Sequence, residues 1–417
     1  MKGKLMRIMD FALLVCFIIL VFPPVEWIGE PTVLYLICVA LWMVSSMVYF
    51  PGFYLHIKLH RLFALVFYLA TSLVPYMLGA TTVAHRYMAT PIIPLGFFIY
   101  EYYKESGRLE SLQRIIEVAL CFAILTGIIT YYNLLDNSWV SRTIKSSGEY
   151  SESLGKRGIG GYSYIYFLVT ASVILLHGTI HSRRLGARII YASLFVLSVF
   201  IALKANYLTA LAIELISMTV YFLAVNLKKG KRKALKVIVA FSVIWLVIVF
   251  SDKILELLGG VLPARVGRVL NNSLHTNVVQ SICNEFIQDR LPTLMSSIEA
   301  FIESPIFGLI ASNADLSGDF LTGFGQHSYV LDTFALYGFL LGILNIYVLL
   351  LAFRKTKCTR ENLPLMWSAF IAMVIMAIAN NMTDSIALSF GILFPCIVEE
   401  VNVKSASMDC ALAGSVK

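Results

Sequence analysis

Apolar runs of about 20 residues recur along this chain, each long enough to cross the hydrocarbon core of a bilayer as one helix. They fall near 10–28, 32–50, 61–79, 84–101, 113–133, 163–180, 189–203, 206–226, 237–255, 329–352, 363–381 and 384–400. No water-soluble fold of 417 residues could bury so many. Composition agrees: 59% of residues are hydrophobic, 14% are charged, and the mean hydropathy is +0.79. The expected fold is an all-α polytopic membrane protein of about twelve transmembrane helices. Pro91 and Pro94 interrupt the fourth run, which membrane helices tolerate when neighbours satisfy the freed backbone groups. Lys2, Lys4 and Arg7 before the first run resemble the start of a signal peptide. "VFPPVEWIGEP" follows instead of a small-residue cleavage site, so this run is expected to stay as the first helix.

Orientation follows from the positive residues. With the N-terminus in the cytoplasm, the even-numbered connections lie there too: "HIKLHR", "EYYKESGRLESLQR", "HSRRLGAR", "NLKKGKRKALK" and "RKTKCTREN". These and the two termini hold all but ten of the 33 Lys and Arg. Both termini are therefore expected to be cytoplasmic, with residues 401–417 as a tail. The net charge of +8 is mostly this orientation signal, with some attraction to anionic membrane lipid. It is dispersed over short loops and does not point to nucleic acid. Of the seven cysteines only Cys283 lies well outside, so no disulfide framework is expected.

Two external connections are long. Residues 134–162 follow the first five spans (1–133), and residues 256–328 separate spans six to nine (163–255) from the last three (329–400). Loops of this length in a compact protein point to function. The second one carries two amphipathic helical patterns. "NVVQSICNEFIQ" aligns Val278, Val279, Ile282, Phe286 and Ile287; "RLPTLMSSIEAFIES" aligns Leu291, Leu294, Met295, Ile298, Phe301 and Ile302. Asp289 suits a cap for the second helix, Pro292 its first turn and Pro305 its stop. Both helices are expected on the outer membrane surface or over a cavity.

The ten remaining cations are Arg86, Arg142, Lys145, Lys156, Arg157, Lys204, Lys253, Arg265, Arg268 and Arg290. Cations on the translocated side work against the orientation bias, and arginine forks match phosphate geometry. Arg265 and Arg268 are three apart and would share a helical face, suited to phosphate or to lipid headgroups. No phosphate loop, nucleophile elbow or zinc-spaced Cys/His cluster occurs, and Asp315 and Asp319 in "NADLSGD" read as loop. No metal or cofactor is expected. An enzyme of this kind would act outside on a substrate that arrives already activated, such as a lipid-linked pyrophosphate. Fixed cations would steady the leaving group, and His327 would accept the proton of the attacking hydroxyl. Asp332 and Glu214 are ionisable groups inside spans, which usually face the protein interior.

The order of these features resembles the Wzy-type O-antigen and capsular polysaccharide polymerases and, more distantly, the O-antigen ligases. The resemblance rests on "DRLPTLMSSIEAFIESPIFG" followed by "GFGQHSYVLDTFALYG". In these, Arg290, Pro305 to Gly308, His327-Ser328 and Tyr337-Gly338 take the places of the family's motifs. The His-Ser form with Asp332 and Tyr337 is more similar to the polymerases. One departure lies at the start of the eighth span: Asn206-Tyr207 stands where the family often has Ser-Arg, and Lys204 is the nearby cation.

The resemblance implies a GT-C-like membrane protein that performs inverting, metal-independent glycosyl transfer. An undecaprenyl-pyrophosphate-linked oligosaccharide would be donor, and a second lipid-linked repeat unit acceptor, at the external face of the bacterial inner membrane. His327 and Arg290 would be catalytic. Arg142, Lys156, Arg157, Lys204, Arg265, Arg268, Arg86, Asp332 and Tyr337 would contact substrate. A chain-length-determining copolymerase and a flippase would be partners. Two other readings stand beside it: a ligase with lipid A core as acceptor, and a transporter or flippase of the same lipid-linked sugar.

Overall fold

The computed structural model describes residues 2–26, 31–63, 65–66, 92–144, 149–205, 207–228, 291–309, 328–382 and 384–403. Among them there are helices and no strands. The longer ones are α1 (Lys2–Val21), α2 (Pro31–Tyr49), α3 (Ile92–Glu105), α4 (Leu109–Asp136), α5 (Tyr162–His181), α6 (Leu185–Lys204) and α7 (Leu208–Lys228). Then come α8 (Leu291–Glu303), α9 (Tyr329–Leu349), α10 (Leu363–Ala379) and α11 (Ser385–Val403), the last containing a π-helical turn at Leu388–Leu393.

Five of these, α4, α5, α6, α9 and α11, are long and apolar enough to cross a membrane, and α2, α7 and α10 contain shorter apolar stretches. The protein is an all-α membrane protein. The bulk of the expected third span, the expected ninth span and the first amphipathic pattern lie outside the described residues. α1 begins at Lys2, well before the expected run near residue 10, because nothing in "KGKLMRIMD" breaks a helix and hydropathy marks the bilayer, not the helix end.

Burial separates the centre of the bundle from its periphery. From Tyr164 to Leu175 every residue of α5 is buried, and so is every residue of α11 from Ser385 to Val398. A helix apolar on all sides and buried on all sides belongs inside a bundle. Their contact is fixed by hydroxyls: Ser385 Oγ donates to Ser163 O at 2.7 Å and Thr170 Oγ1 to Ser389 Oγ at 3.3 Å. The outer helices each keep an exposed apolar stripe, such as Val118, Leu125, Ile128, Tyr132 and Leu135 on α4. In a membrane protein that stripe faces lipid, and small or polar residues make the helix contacts.

One end of the bundle is held by ion pairs. Arg61 is 2% exposed. Its Nε donates to Glu101 and its Nη1 to Glu105, both at 3.0 Å, and Nη2 also reaches Glu105. The guanidinium lies 4.3 Å from the centre of the Phe53 ring. Beside it Arg108 pairs with Asp10 at 2.5 Å, Lys104 with Glu399 at 2.7 Å and Arg184 with Glu117 at 2.5 Å. Ser182 Oγ donates to Glu400 at 2.7 Å, and buried His177 lies between Tyr221 and Asn362. Residues of α1, α3, α4 and α11 and of the segments before α3, between α3 and α4, and between α5 and α6 are thus tied into one end.

Arg61 holds the Glu105 carboxyl down to about 2 through its hydrogen bonds. A depressed carboxylate contributes stability that is complete above its unfolded pKa of about 4.3 and is lost as the pH falls toward its folded value. The unfolding temperature in detergent should therefore be insensitive to this group at neutral pH and decline below about pH 4. Arg61→Met should lower stability by about 2 kcal/mol, because it removes the charged hydrogen bonds that Glu101 and Glu105 share and leaves them His60 and Lys58 as partners. Thermal melts of the two proteins against pH check both expectations, and the variant should show a weaker acid decline.

Candidate functional site

The opposite end of the bundle holds its cation on aromatic rings. α4 closes at Asp136, and the Asn137 side chain accepts the Trp139 N–H at 2.9 Å, turning the chain into the short helix Val140–Thr143. Arg142 on that helix lies 5.3 Å from the Trp139 ring and 5.5 Å from the Tyr207 ring, both within cation–π range. Tyr207 Oη donates to Ser141 O at 3.0 Å, fixing the start of α7 to the same short helix. Tyr207 also packs edge-on against Tyr162 and Tyr166, at 6.0 and 5.8 Å between ring centres.

A polar relay leads on from these rings. Asn380, where α10 ends, donates from Nδ2 to Tyr166 Oη at 3.2 Å. The Asn380 carbonyl accepts the Tyr329 N–H at 3.0 Å. The first residue of α9 is therefore linked through Asn380 and Tyr166 to the rings that carry Arg142. Tyr207 did not enter the expected set; the signal for it was the recurrence of Tyr162, Tyr166 and Tyr207 at the starts of two spans. Lys156 and Arg157 end the short helix Glu149–Lys156 and are exposed, and Lys204 ends α6 half-buried.

The start of α9 is capped in a reciprocal way. Ser328 Oγ accepts the Leu331 N–H at 3.4 Å, and Asp332 Oδ2 accepts the Ser328 N–H at 3.2 Å. Each side chain satisfies a backbone donor that the first turn of a helix leaves open, in the manner of a capping box displaced by one residue. The other oxygen of Asp332 accepts Ser297 Oγ of α8 at 2.6 Å. Asp332 is thus buried between the start of α9 and the middle of α8, and Tyr337 is buried with Ala300, Ala335 and Leu336 in a small core between the same helices.

α8 and α9 run parallel. Ser297 meets Asp332, the Phe301 ring lies 5.9 Å from that of Phe334, and Pro305 meets Phe339, so contacts advance together along both helices. At Gly338 α9 breaks, with φ +67° and ψ −170°. An unbroken α-helix would join the Phe339 N–H to the Ala335 carbonyl. Here both halves go to the turn that follows α8: Phe339 N–H donates to Pro305 O at 2.7 Å, and Ala335 O accepts the Leu309 N–H at 2.9 Å. The turn replaces the missing helix bond with two others.

Glycine is needed on both sides of that contact. Gly308 has φ +71°, and a Cβ there would sit 2.3 Å from the Leu336 carbonyl. A Cβ on Gly338 would sit 2.2 Å from Ile306 O. These are backbone atoms and have little room to move.

Arg86, Arg265, Arg268, Arg290 and His327 lie outside the described residues. Arg290 immediately precedes α8 in the sequence, and His327 precedes the cap residue Ser328 of α9. The described part of the site offers a guanidinium on an aromatic platform and two parallel helix starts. That combination suits an anion and a sugar ring better than a metal. Among the described residues no group of three or more His, Cys, Asp or Glu could hold a metal ion. No family model matches the chain, and no curated protein matches it.

Gly308→Ala and Gly338→Ala should each destabilise the α8–α9 unit by about 2 kcal/mol or more, through a strained φ and a backbone clash. Ser297→Ala should cost about 2 kcal/mol, since it removes a buried donor from a carboxylate. Proteolysis rates at the α8–α9 junction, compared with those elsewhere in the chain, check these values.

Proposed function

We propose that this protein polymerises lipid-linked oligosaccharide repeat units, of the O-antigen or capsular kind, at the external face of the inner membrane. In this reading the chain has about twelve spans in a GT-C-like arrangement and both termini in the cytoplasm. The observation that carries it is the parallel packing of α8 on the first half of α9. The two helices begin about one turn apart, and the residues that precede them in sequence are the two proposed to be catalytic, Arg290 and His327.

The chemistry follows from these residue types. The hydroxyl oxygen of the acceptor sugar forms a bond to the anomeric carbon of the donor. The bond from that carbon to the undecaprenyl diphosphate breaks, and the diphosphate departs with the electron pair. Its charge needs fixed cations more than it needs an acid, and Arg290 supplies one. His327 takes the hydroxyl proton, for which an imidazole is well matched near neutral pH. Attack opposite the leaving group inverts the anomeric centre.

Arg142 supports the same reading. The start of α7 lacks the arginine found there in the polymerases that the sequence resembles, and carries Tyr207 instead. Lys204 at the end of α6 remains the nearby cation in sequence. It is Arg142, from another segment of chain, whose guanidinium lies over the Tyr207 ring. Arg142 is proposed to guide the growing chain or its diphosphate, with Lys156 and Arg157 as exposed cations on the same loop.

Purified protein supplied with a lipid-linked repeat unit should yield a ladder on a gel. His327→Ala and Arg290→Ala should abolish the ladder without loss of expression. Arg142→Ala should lower the rate by about tenfold or more, the value of one charge-assisted contact to phosphate. Product formed only when lipid A core is added would replace polymerisation with ligation, and movement of substrate without covalent change would replace both with transport.

A further inference from the structure

The face of α8 that packs on α9 is made of small residues. Ser297 and Ala300 are buried and Ser304 is half-buried, a spacing that lets two helix backbones approach closely. Phe301 joins them against Phe334, and the other bulky apolar residues point elsewhere. Leu291, Met295 and Ile302 are 41, 43 and 69% exposed, and the stripe continues through Ile306 and Phe307 at 57 and 72%. Such a stripe is unfavourable in water.

The stripe is continuous with a surface that faces lipid. Ile306 and Phe307 lie in the turn whose backbone contacts Gly338. Just beyond the break, Phe339 and Leu340 of α9 are 54 and 66% exposed. The apolar path therefore runs from the first residue of α8, over about 20 Å of helix, onto the exposed side of a membrane-crossing helix.

We propose that this stripe is the bed for the polyisoprenoid chain of a lipid diphosphate substrate. The inference rests on the functional reading above, in which the diphosphate is held where α8 and α9 begin. A lipid whose headgroup is bound at that end needs an apolar route from there to the bilayer. Leu291 is the next residue after Arg290, and the stripe leads from it to Phe339. Ordinary phospholipid acyl chains could wet the same surface, but they would show no preference for it over other exposed apolar positions.

Photocrosslinking of the full chain in nanodiscs of phosphatidylethanolamine and phosphatidylglycerol tests this without requiring turnover. Ile302→p-benzoylphenylalanine is compared with Ile128→p-benzoylphenylalanine, an exposed apolar position on α4 away from this path. Radiolabelled undecaprenyl diphosphate is the probe. Capture at position 302 should exceed capture at 128 by about tenfold and be displaced by unlabelled undecaprenyl diphosphate but not by added phosphatidylglycerol. Equal capture at both positions, or displacement by phosphatidylglycerol, would overturn the proposal.

In a second arm, Met295→Asn combined with Ile302→Asn should weaken binding of undecaprenyl diphosphate about tenfold and leave geranyl diphosphate unchanged. Equal weakening of both, or of neither, would count against it. Capture at position 302 in a protein that makes no polymer would refute the polymerase reading and not the lipid bed.

Discussion

A backbone hydrogen bond can be broken inside a membrane protein only if both of its halves find new partners, since lipid offers none. The candidate site depends on one such exchange. α9 gives up its Ala335–Phe339 bond at Gly338, and the turn Pro305–Leu309 takes both free groups. Because the partner groups belong to one short turn, α8 is locked in register along the first half of α9. Ser297 on Asp332 and Phe301 on Phe334 hold that register further toward the helix starts. A break that would otherwise weaken a span becomes the joint that positions the segment before it.

Cations lie on aromatic rings at both ends of the bundle. At one end Arg61, Arg108, Lys104 and Arg184 are paired with carboxylates, and the pairs staple the connecting segments together. At the other, Arg142 lies over Trp139 and Tyr207. That contact ties the short helix Val140–Thr143 to the start of α7. The first end joins its connecting segments by charge pairs, and the second carries the arginine proposed to guide the diphosphate.

Much of the helical architecture could be read from the sequence, because a run of apolar residues specifies a membrane helix without reference to anything distant. α4, α5, α6 and α11 fall within a few residues of the expected runs. The break in α9 could not be read that way: hydropathy continues through Gly338, and its compensation lies some 30 residues earlier in the chain. Asp332 looked like an isolated charge in a span, since its partner Ser297 lies 35 residues away. The apolar face of α8 was visible, but its packing face was not; Ser297, Ala300 and Ser304, at small-residue spacing, carried that signal. Arg142 and Tyr207 are 65 residues apart, and no local pattern connects them.

In the proposed polymerase, Arg290 and His327, which precede α8 and α9 in sequence, meet at one external diphosphate. Arg290→Cys and His327→Cys, introduced together into a chain freed of its own cysteines, allow a direct measurement in intact cells with a short, membrane-impermeant bifunctional thiol reagent. The account predicts an intramolecular cross-link that undecaprenyl diphosphate suppresses. A cross-link that forms only after the membrane is permeabilised, or none at all while each single cysteine reacts, would contradict it.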